Sequence, residues 1–402
     1  MLEQKRAWKE AAWIFGLSRL IIILISYRSV VLLPIYRINL RKYIITTGCN
    51  TRNLTCFVES WWRWDAIRYV EVAFYGYTNS SRENTVFFPL FPLLMHYLAA
   101  FFGGSAFADY VAGLVLANVF FYALLVLFYQ FICQEFGHTA AKNALIYLAF
   151  APYAIFFFAG YAESLFFLLS LATFVFLRRG TPKDWWLAAT CGFLAALTRP
   201  TGIVLVVPFL VLLIQRFGLS TFFARENWQQ KLNAVLSIAL IPLGLLLYML
   251  VLQIQFGKPL LFSIEQTKVW YRYFAFPWVG IYYAFKAMYY FQQASGYYFQ
   301  RNLTDLFFTF LPLLVLILGW KWLPLHYNLY SLVMVLFVLC FPVMYIGKSL
   351  MSAPRHLMMI FPIFIIMGVM HEKSNFARMQ FIISITFFAM NIILFVTQNW
   401  VA

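Results

Sequence analysis

The sequence predicts an all-α polytopic membrane protein, on three observations. Of its 402 residues 63% are hydrophobic and only 11% charged, with mean hydropathy +0.78, against roughly 45–50% apolar and about 25% charged in a soluble domain. Runs such as Ile21 to Leu33, Val111 to Phe128, Val235 to Val251 and Phe381 to Val396 carry almost no charge, and a helix needs about 20 such residues to cross the hydrocarbon core. The net charge is +16, from 30 Lys and Arg against 14 Asp and Glu, with the cations scattered among loops. Scattered cations argue against nucleic acid, which selects one basic face, and point to anionic lipid headgroups or phosphates.

Taken in order, spanning helices are expected near 10–34, 107–133, 139–158, 161–178, 185–198, 201–215, 233–256, 304–320, 328–346, 356–371 and 379–399, eleven crossings in one membrane domain. Lys5, Arg6 and Lys9 precede the first apolar run without a small-residue cleavage site before Arg28, so that run reads as a retained helix. Two long stretches, 35–106 and 257–303, lie between helices. Basic residues beside short loops set orientation. The N-terminus, Arg178 to Lys183, Arg216 to Lys231, Lys321, and Lys373 with Arg378 all read as inside. They agree only if Phe87 to Phe102 does not cross, and its two prolines, Pro89 and Pro92, favour a short helix at the interface. The stretch 35–106 is then one large outside loop, itself basic (Arg37, Arg41, Lys42, Arg52, Arg63, Arg68, Arg82). Cys49 and Cys56 share it and can close a disulfide if it faces an oxidising side; Cys133, Cys191 and Cys340 sit in apolar runs. The sequons at Asn53, Asn79 and Asn302 fall in or beside predicted outside loops.

Four segments carry candidate chemistry. In Trp61-Trp62-Arg63-Trp64-Asp65-Ala66-Ile67-Arg68-Tyr69, an acid behind three tryptophans is placed where burial raises its pKa and a nearby arginine lowers it. Such a group serves as a general base. Equally, the tryptophans form an interfacial belt and Asp65 pairs with Arg68 one turn on. Glu163, in Gly160-Tyr161-Ala162-Glu163-Ser164, is either a first-turn acid favoured by the helix dipole or a functional ionisable group at membrane depth. Arg199, in Leu197-Thr198-Arg199-Pro200-Thr201-Gly202, suits a two-pronged phosphate contact or snorkelling to headgroups. Lys348, Arg355 and His356 occupy another predicted outside loop and offer the same two readings. No Walker loop, His-Glu-x-x-His, Cys-x-x-Cys pair or histidine cluster is present, so neither a nucleotide nor a metal cofactor is expected.

These segments resemble, in order, those of the PIG-V family of GPI mannosyltransferases and their prokaryotic relatives, within the GT-C membrane glycosyltransferases. The resemblance rests on Arg63-Trp64-Asp65-Ala66, Gly76-Tyr77 before Phe87-Phe88-Pro89-Leu90-Phe91-Pro92, Tyr161-Ala162-Glu163-Ser164-Leu165-Phe166, Leu197-Thr198-Arg199-Pro200-Thr201-Gly202, and Arg355-His356-Leu357 leading to Phe361-Pro362. Where the family has Arg-Ser-Asn-Gly this chain has Arg199-Pro200-Thr201-Gly202, which keeps the arginine and changes the two middle positions. The resemblance implies a GT-C-like fold with a large first outside loop carrying interfacial helices. It implies transfer of a sugar, mannose in eukaryotic members, from a polyprenyl-phosphate donor to a lipid-linked acceptor, with inversion. It implies Asp65 as general base, Arg199, Arg355, His356 and Lys348 at the donor phosphate, and Arg63, Trp64, Arg68 and Glu163 at the substrate. Membrane lipids and a small membrane subunit are the other partners to expect. The setting expected is a prokaryotic cytoplasmic membrane with the site outside, or the endoplasmic reticulum in a eukaryote. Competing readings are a GT-C enzyme for another polyprenyl-phosphate sugar, a transporter, which calls for matching halves with broken helices, and a non-catalytic assembly partner, which would tolerate Asp65→Asn.

Overall fold

A computed structural model describes residues 2–33, 54–218, 227–291, 296–345 and 347–401. Arg37, Arg41, Lys42, Arg52, Asn53, Cys49 and Arg225 lie outside the described residues, as does the side chain of Cys56, and with them the expected disulfide. The chain is all-α: α1 Leu2–Leu32, α2 Leu54–Glu59, α3 Asp65–Tyr75, α4 Leu90–Ala100, α5 Ala106–Ala149, α6 Glu163–Arg179, α7 Pro182–Thr198, α8 Val206–Phe217, α9 Trp228–Phe256, α10 Leu261–Lys268, α11 Val279–Phe291, α12 Gly296–Gly319, α13 Leu325–Leu339, α14 Ala353–Leu357, α15 Pro362–Met370 and α16 Asn375–Val396.

It is an integral multi-pass membrane protein. Among the described residues six helical segments are long and apolar enough to cross a bilayer: Gln4–Leu32, Ala106–Ala149, Pro200–Phe217, Trp228–Phe256, Gly296–Trp322 and Asn375–Val396. Eleven crossings were expected. The expected spans at 107–133 and 139–158 fall in one continuous element, α5, broken at Gly137 (φ 81°), and its second part stops at Ala149. The expected span at 356–371 reduces to the nine residues of α15, about 14 Å of helix against a core of about 30 Å. An apolar run reports burial, and here much of it belongs to irregular backbone packed inside protein. The segment around Pro89 does form a short helix, α4 of 11 residues, too short to cross. Its prolines occupy the start, where no intrahelical N–H is needed.

By internal contacts the chain groups into two compact units, residues 1–168 with 367–401, and residues 169–366. In the first, α1 packs on α5 and α16, and α5 also receives α3 and α4. The buried face of α1 mixes small and polar residues (Ala7, Ala11, Ser18, Ser26) with Ile14, Ile22 and Val30, whereas Trp13, Leu20 and Leu24 are exposed. Small residues permit close approach of helices, and large apolar ones on the outer face cost nothing in lipid. Between α5 and α6 the backbone of residues 150–162 is irregular, and side chains from three helices satisfy its carbonyls. Arg19 Nη2 donates to Phe157 O at 3.3 Å, Asn118 Nδ2 to Phe158 O at 3.3 Å, and Asn391 Nδ2 to Pro152 O at 2.8 Å. Irregular backbone at membrane depth persists only when protein satisfies it in this way. The guanidinium of Arg19 is additionally enclosed by the rings of Phe15, Phe121 and Phe158.

In the second unit α7 and α9 run closely packed. A Cβ at Gly244 would lie 2.5 Å from Phe193 O, and one at Gly192 would lie 2.7 Å from Ile241, so both glycines are fixed by helix contact. Phe174, Tyr327, Tyr330 and Phe361 form an aromatic core, with Phe174 and Phe361 edge-on at 4.8 Å.

Candidate functional site

In the first unit the site residues lie where the chain enters α3. Trp61 and Trp62 are buried, Trp61 against Phe158 and Phe395 and Trp62 stacked on Tyr110 at 5.0 Å. They are packing anchors rather than the interfacial belt that the sequence also allowed. Arg63 is buried and donates from Nη1 to Trp62 O at 2.8 Å. Its burial lowers the guanidinium pKa to about 10, an effect that Tyr110 and Glu59 partly oppose. Trp64 then adopts φ 54°, ψ −119°, a left-handed conformation that a bulky L-residue takes only at a cost of about 1–3 kcal/mol. Its ring is held edge-on to Trp400 at 4.7 Å. Asp65 follows as the first residue of α3, half-buried. Among the described residues of 35–106, Trp64 is the non-glycine with positive φ, and the residue it presents is an acid.

Two further contacts fix this corner. The Tyr161 hydroxyl donates to Arg63 O at 3.1 Å, and Tyr161, Ala162 and Glu163 are fully buried. Arg68 does not pair with Asp65. Its guanidinium is bonded to Glu71 Oε2 at 3.2 Å, to Asn84 Oδ1 at 3.3 Å and to Glu83. Asn84 Nδ2 closes the network on Glu71 at 2.8 Å. Arg68 therefore ties α3 to the 3-10 turn Arg82–Val86.

The second unit gathers cations. Arg199 caps α7 in extended backbone (φ −154°), and the turn after it folds back so tightly that a Cβ at Gly202 would lie 2.4 Å from the backbone of Ala195 and Ala196. That explains the glycine of the Arg199-Pro200-Thr201-Gly202 motif. Arg355 is buried on α14, directly after Ser352, which is left-handed at φ 64°. The charges of Arg199, Arg355 and, as a fourth member, Arg272 reach the His356 imidazole. His356 keeps part of its ring accessible, yet enclosure by protein first, and Arg199, Arg272 and Arg355 next, hold its imidazole well below the ordinary pKa. Lys348 stands beside Arg301 and over the Tyr345 ring at 5.1 Å; its pKa is lowered by burial first and by Arg301 second.

Sequence reasoning missed Arg272. Its Nη1 donates to Phe341 O at 3.0 Å and its Nη2 to Met351 O at 2.9 Å, while Met344 N donates to Tyr271 O at 2.7 Å. Arg272 thus clasps both ends of the loop that carries Lys348 and leads to Arg355. A lone arginine in the aromatic stretch Trp270 to Trp278 was the available signal. The sequon asparagine Asn302 is buried within α12, and its amide donates to Tyr298 O at 2.8 Å and Gly347 O at 3.1 Å. Asn79 is exposed. Among the described residues no three His, Cys, Asp or Glu side chains are grouped to hold a metal.

Solved structures give a likeness to this arrangement of helices. It is to an archaeal oligosaccharyltransferase. The crystal structure of the Archaeoglobus fulgidus oligosaccharyltransferase complex with Zn and sulfate is 13% identical, with a TM-score of 0.46, covering 94% of this chain and 52% of that one. The apo form gives the same identity and score over 96% and 54%. Archaeal oligosaccharyltransferase AglB from Archaeoglobus fulgidus, in complex with an inhibitory peptide and a dolichol-phosphate, gives them over 96% and 55%. This chain spans about half the length of those chains. A likeness at that score assigns no family and no chemistry. No family model matches the chain, and no curated protein matches it, so the PIG-V resemblance rests on the motifs quoted above.

Proposed function

We propose that this chain is a membrane glycosyltransferase that moves a sugar, mannose first among candidates, from a polyprenyl-phosphate donor to a lipid-linked acceptor with inversion. The observation that carries the reading is the acid presented by strained backbone: Asp65, half-buried, directly after left-handed Trp64. Strain of this kind persists where the surrounding structure over-determines a functional residue. The cationic group Arg199, Arg272, Arg355 and His356, with Lys348 nearby in sequence, supports the second half of the reaction, since a leaving phosphate needs fixed positive charge where its own charge grows.

In this reading Asp65 accepts the proton of the acceptor hydroxyl, and the oxygen attacks the anomeric carbon from the face opposite the phosphate. The C–O bond to the phosphate breaks as the new glycosidic bond forms, so configuration inverts. The arginines receive the phosphate, and neutral His356 can donate a hydrogen bond to it. Trp64 binds substrate, whereas Arg63 and Arg68, already committed to protein partners, and Glu163, fully buried, act by holding the corner in place. The reaction takes place on the outer side of a prokaryotic cytoplasmic membrane.

The test is transfer. Purified protein is incubated with radiolabelled polyprenyl-phosphate mannose and a membrane lipid extract, and label is followed into new lipids. An inverted glycolipid product supports the reading. Folded protein that transfers no sugar from any polyprenyl phosphate removes it in favour of a transporter.

A further inference from the structure

α11 inverts the usual amphipathic pattern. Its buried positions are Gly280, Ala284 and Ala287, a single stripe at helical spacing, and α11 packs on α12. The stripe is small because the approach is close: a Cβ at Gly280 would lie 2.9 Å from Pro342 Cβ. The exposed positions are Tyr282, Tyr283, Phe285, Lys286, Tyr289 and Tyr290, with Tyr289 72% exposed. Lys286 Nζ lies 5.9 Å from the ring centroids of both Tyr283 and Tyr290, so the cation is framed by two phenols.

Length excludes a crossing. Thirteen residues make about 20 Å of helix, well short of the roughly 30 Å core. Water is a poor solvent for so many aromatic rings on one face, and hydrocarbon is a poor solvent for four phenol hydroxyls and an ammonium. The headgroup boundary suits both, because tyrosine places its ring toward the acyl chains and its hydroxyl toward water, and lysine extends its head to the same level. The charge also chooses a sign: α11 carries Lys286 and no acid, in a chain of net charge +16.

We propose that α11 lies in the plane of the membrane interface, its aromatic face seated in the headgroup region of an anionic leaflet and Lys286 paired with a lipid phosphate. The partner is therefore a lipid surface rather than a second protein. This holds whatever reaction the chain performs.

The experiment uses the full chain in nanodiscs made of equal parts phosphatidylglycerol and phosphatidylcholine. Tyr289→p-benzoylphenylalanine and, separately, Phe285→p-benzoylphenylalanine are irradiated and analysed by intact mass. Both substitutions fall on exposed positions, so folding is retained. The expected product is a phospholipid adduct at both positions. Phosphatidylglycerol should lead phosphatidylcholine by about fivefold, the ratio that ~1 kcal/mol per surface cation gives, and Lys286→Gln should bring that ratio toward one. Adducts only to protein, or no adduct at either position, would overturn the proposal.

Discussion

The Tyr161 hydroxyl donates to the backbone carbonyl of Arg63 at 3.1 Å, two residues before Asp65. The bond links the irregular segment ahead of α6 to the strained residue that leads into α3. Tyr161→Phe keeps the ring and removes the bond, while Arg63 O keeps its backbone donor Ala66 N at 3.1 Å, so the direct cost is about 0.5–1.5 kcal/mol. With Trp64 less firmly held, kcat for sugar transfer should fall about tenfold while the donor KM stays unchanged, because a misplaced base weakens the transition state and not donor binding. Steady-state kinetics in detergent check it.

Gly202→Ala should be among the most damaging alanine substitutions. The new methyl would stand 2.4 Å from backbone atoms of Ala195 and Ala196, which cannot swing aside as a side chain could. A loss of about 1–3 kcal/mol follows from overpacking, read as a lower melting temperature. Gly16→Ala is the control: nothing lies within 4 Å of its added methyl, and alanine is the better helix former, so stability should hold or rise.

Arg272→Lys should weaken donor binding more than turnover. Lysine keeps the charge but cannot bond Phe341 O and Met351 O together in the fork that arginine uses. The loop between them loosens, and the donor KM should rise about tenfold with kcat within about twofold.

His356 sets a pH dependence. Its pKa is held well below the ordinary value by enclosure and by Arg199, Arg272 and Arg355, whereas the unfolded chain returns it to about 6.5. Between those two values the unfolded state binds the proton and the folded state does not, so stability rises with pH across that window. The contribution is complete above about pH 6.5 and is lost progressively as pH falls below it. Melting curves should show the wild type losing stability relative to His356→Gln as pH falls through the window.

The sequence made much of the membrane architecture legible, because lipid solvation writes itself into composition. Gly137 marks the break in α5, and Pro89 and Pro92 mark α4 as a helix too short to cross. The Arg199-Pro200-Thr201-Gly202 and Arg355-His356-Leu357 segments stood out as motifs, but the close backbone approach that requires Gly202 did not. What could not be read is where apolar runs stop being helical. The segment 150–162 is as hydrophobic as any span, and the carbonyl contacts of Arg19, Asn118 and Asn391 mark its irregular backbone. The left-handed turn at Trp64 has no glycine to announce it. Arg68 looked like a partner for Asp65 at helical spacing, but Glu71 and Glu83 compete for it more favourably.

The most direct test of the central claim is single-turnover sugar transfer by Asp65→Asn, with donor binding measured on the same sample. Asparagine keeps the size of the side chain and removes the base. The account predicts donor binding within about twofold of wild type and a transfer rate lower by about 10²–10⁴, the usual contribution of a general base. A variant that binds donor and transfers sugar at the wild-type rate would contradict it.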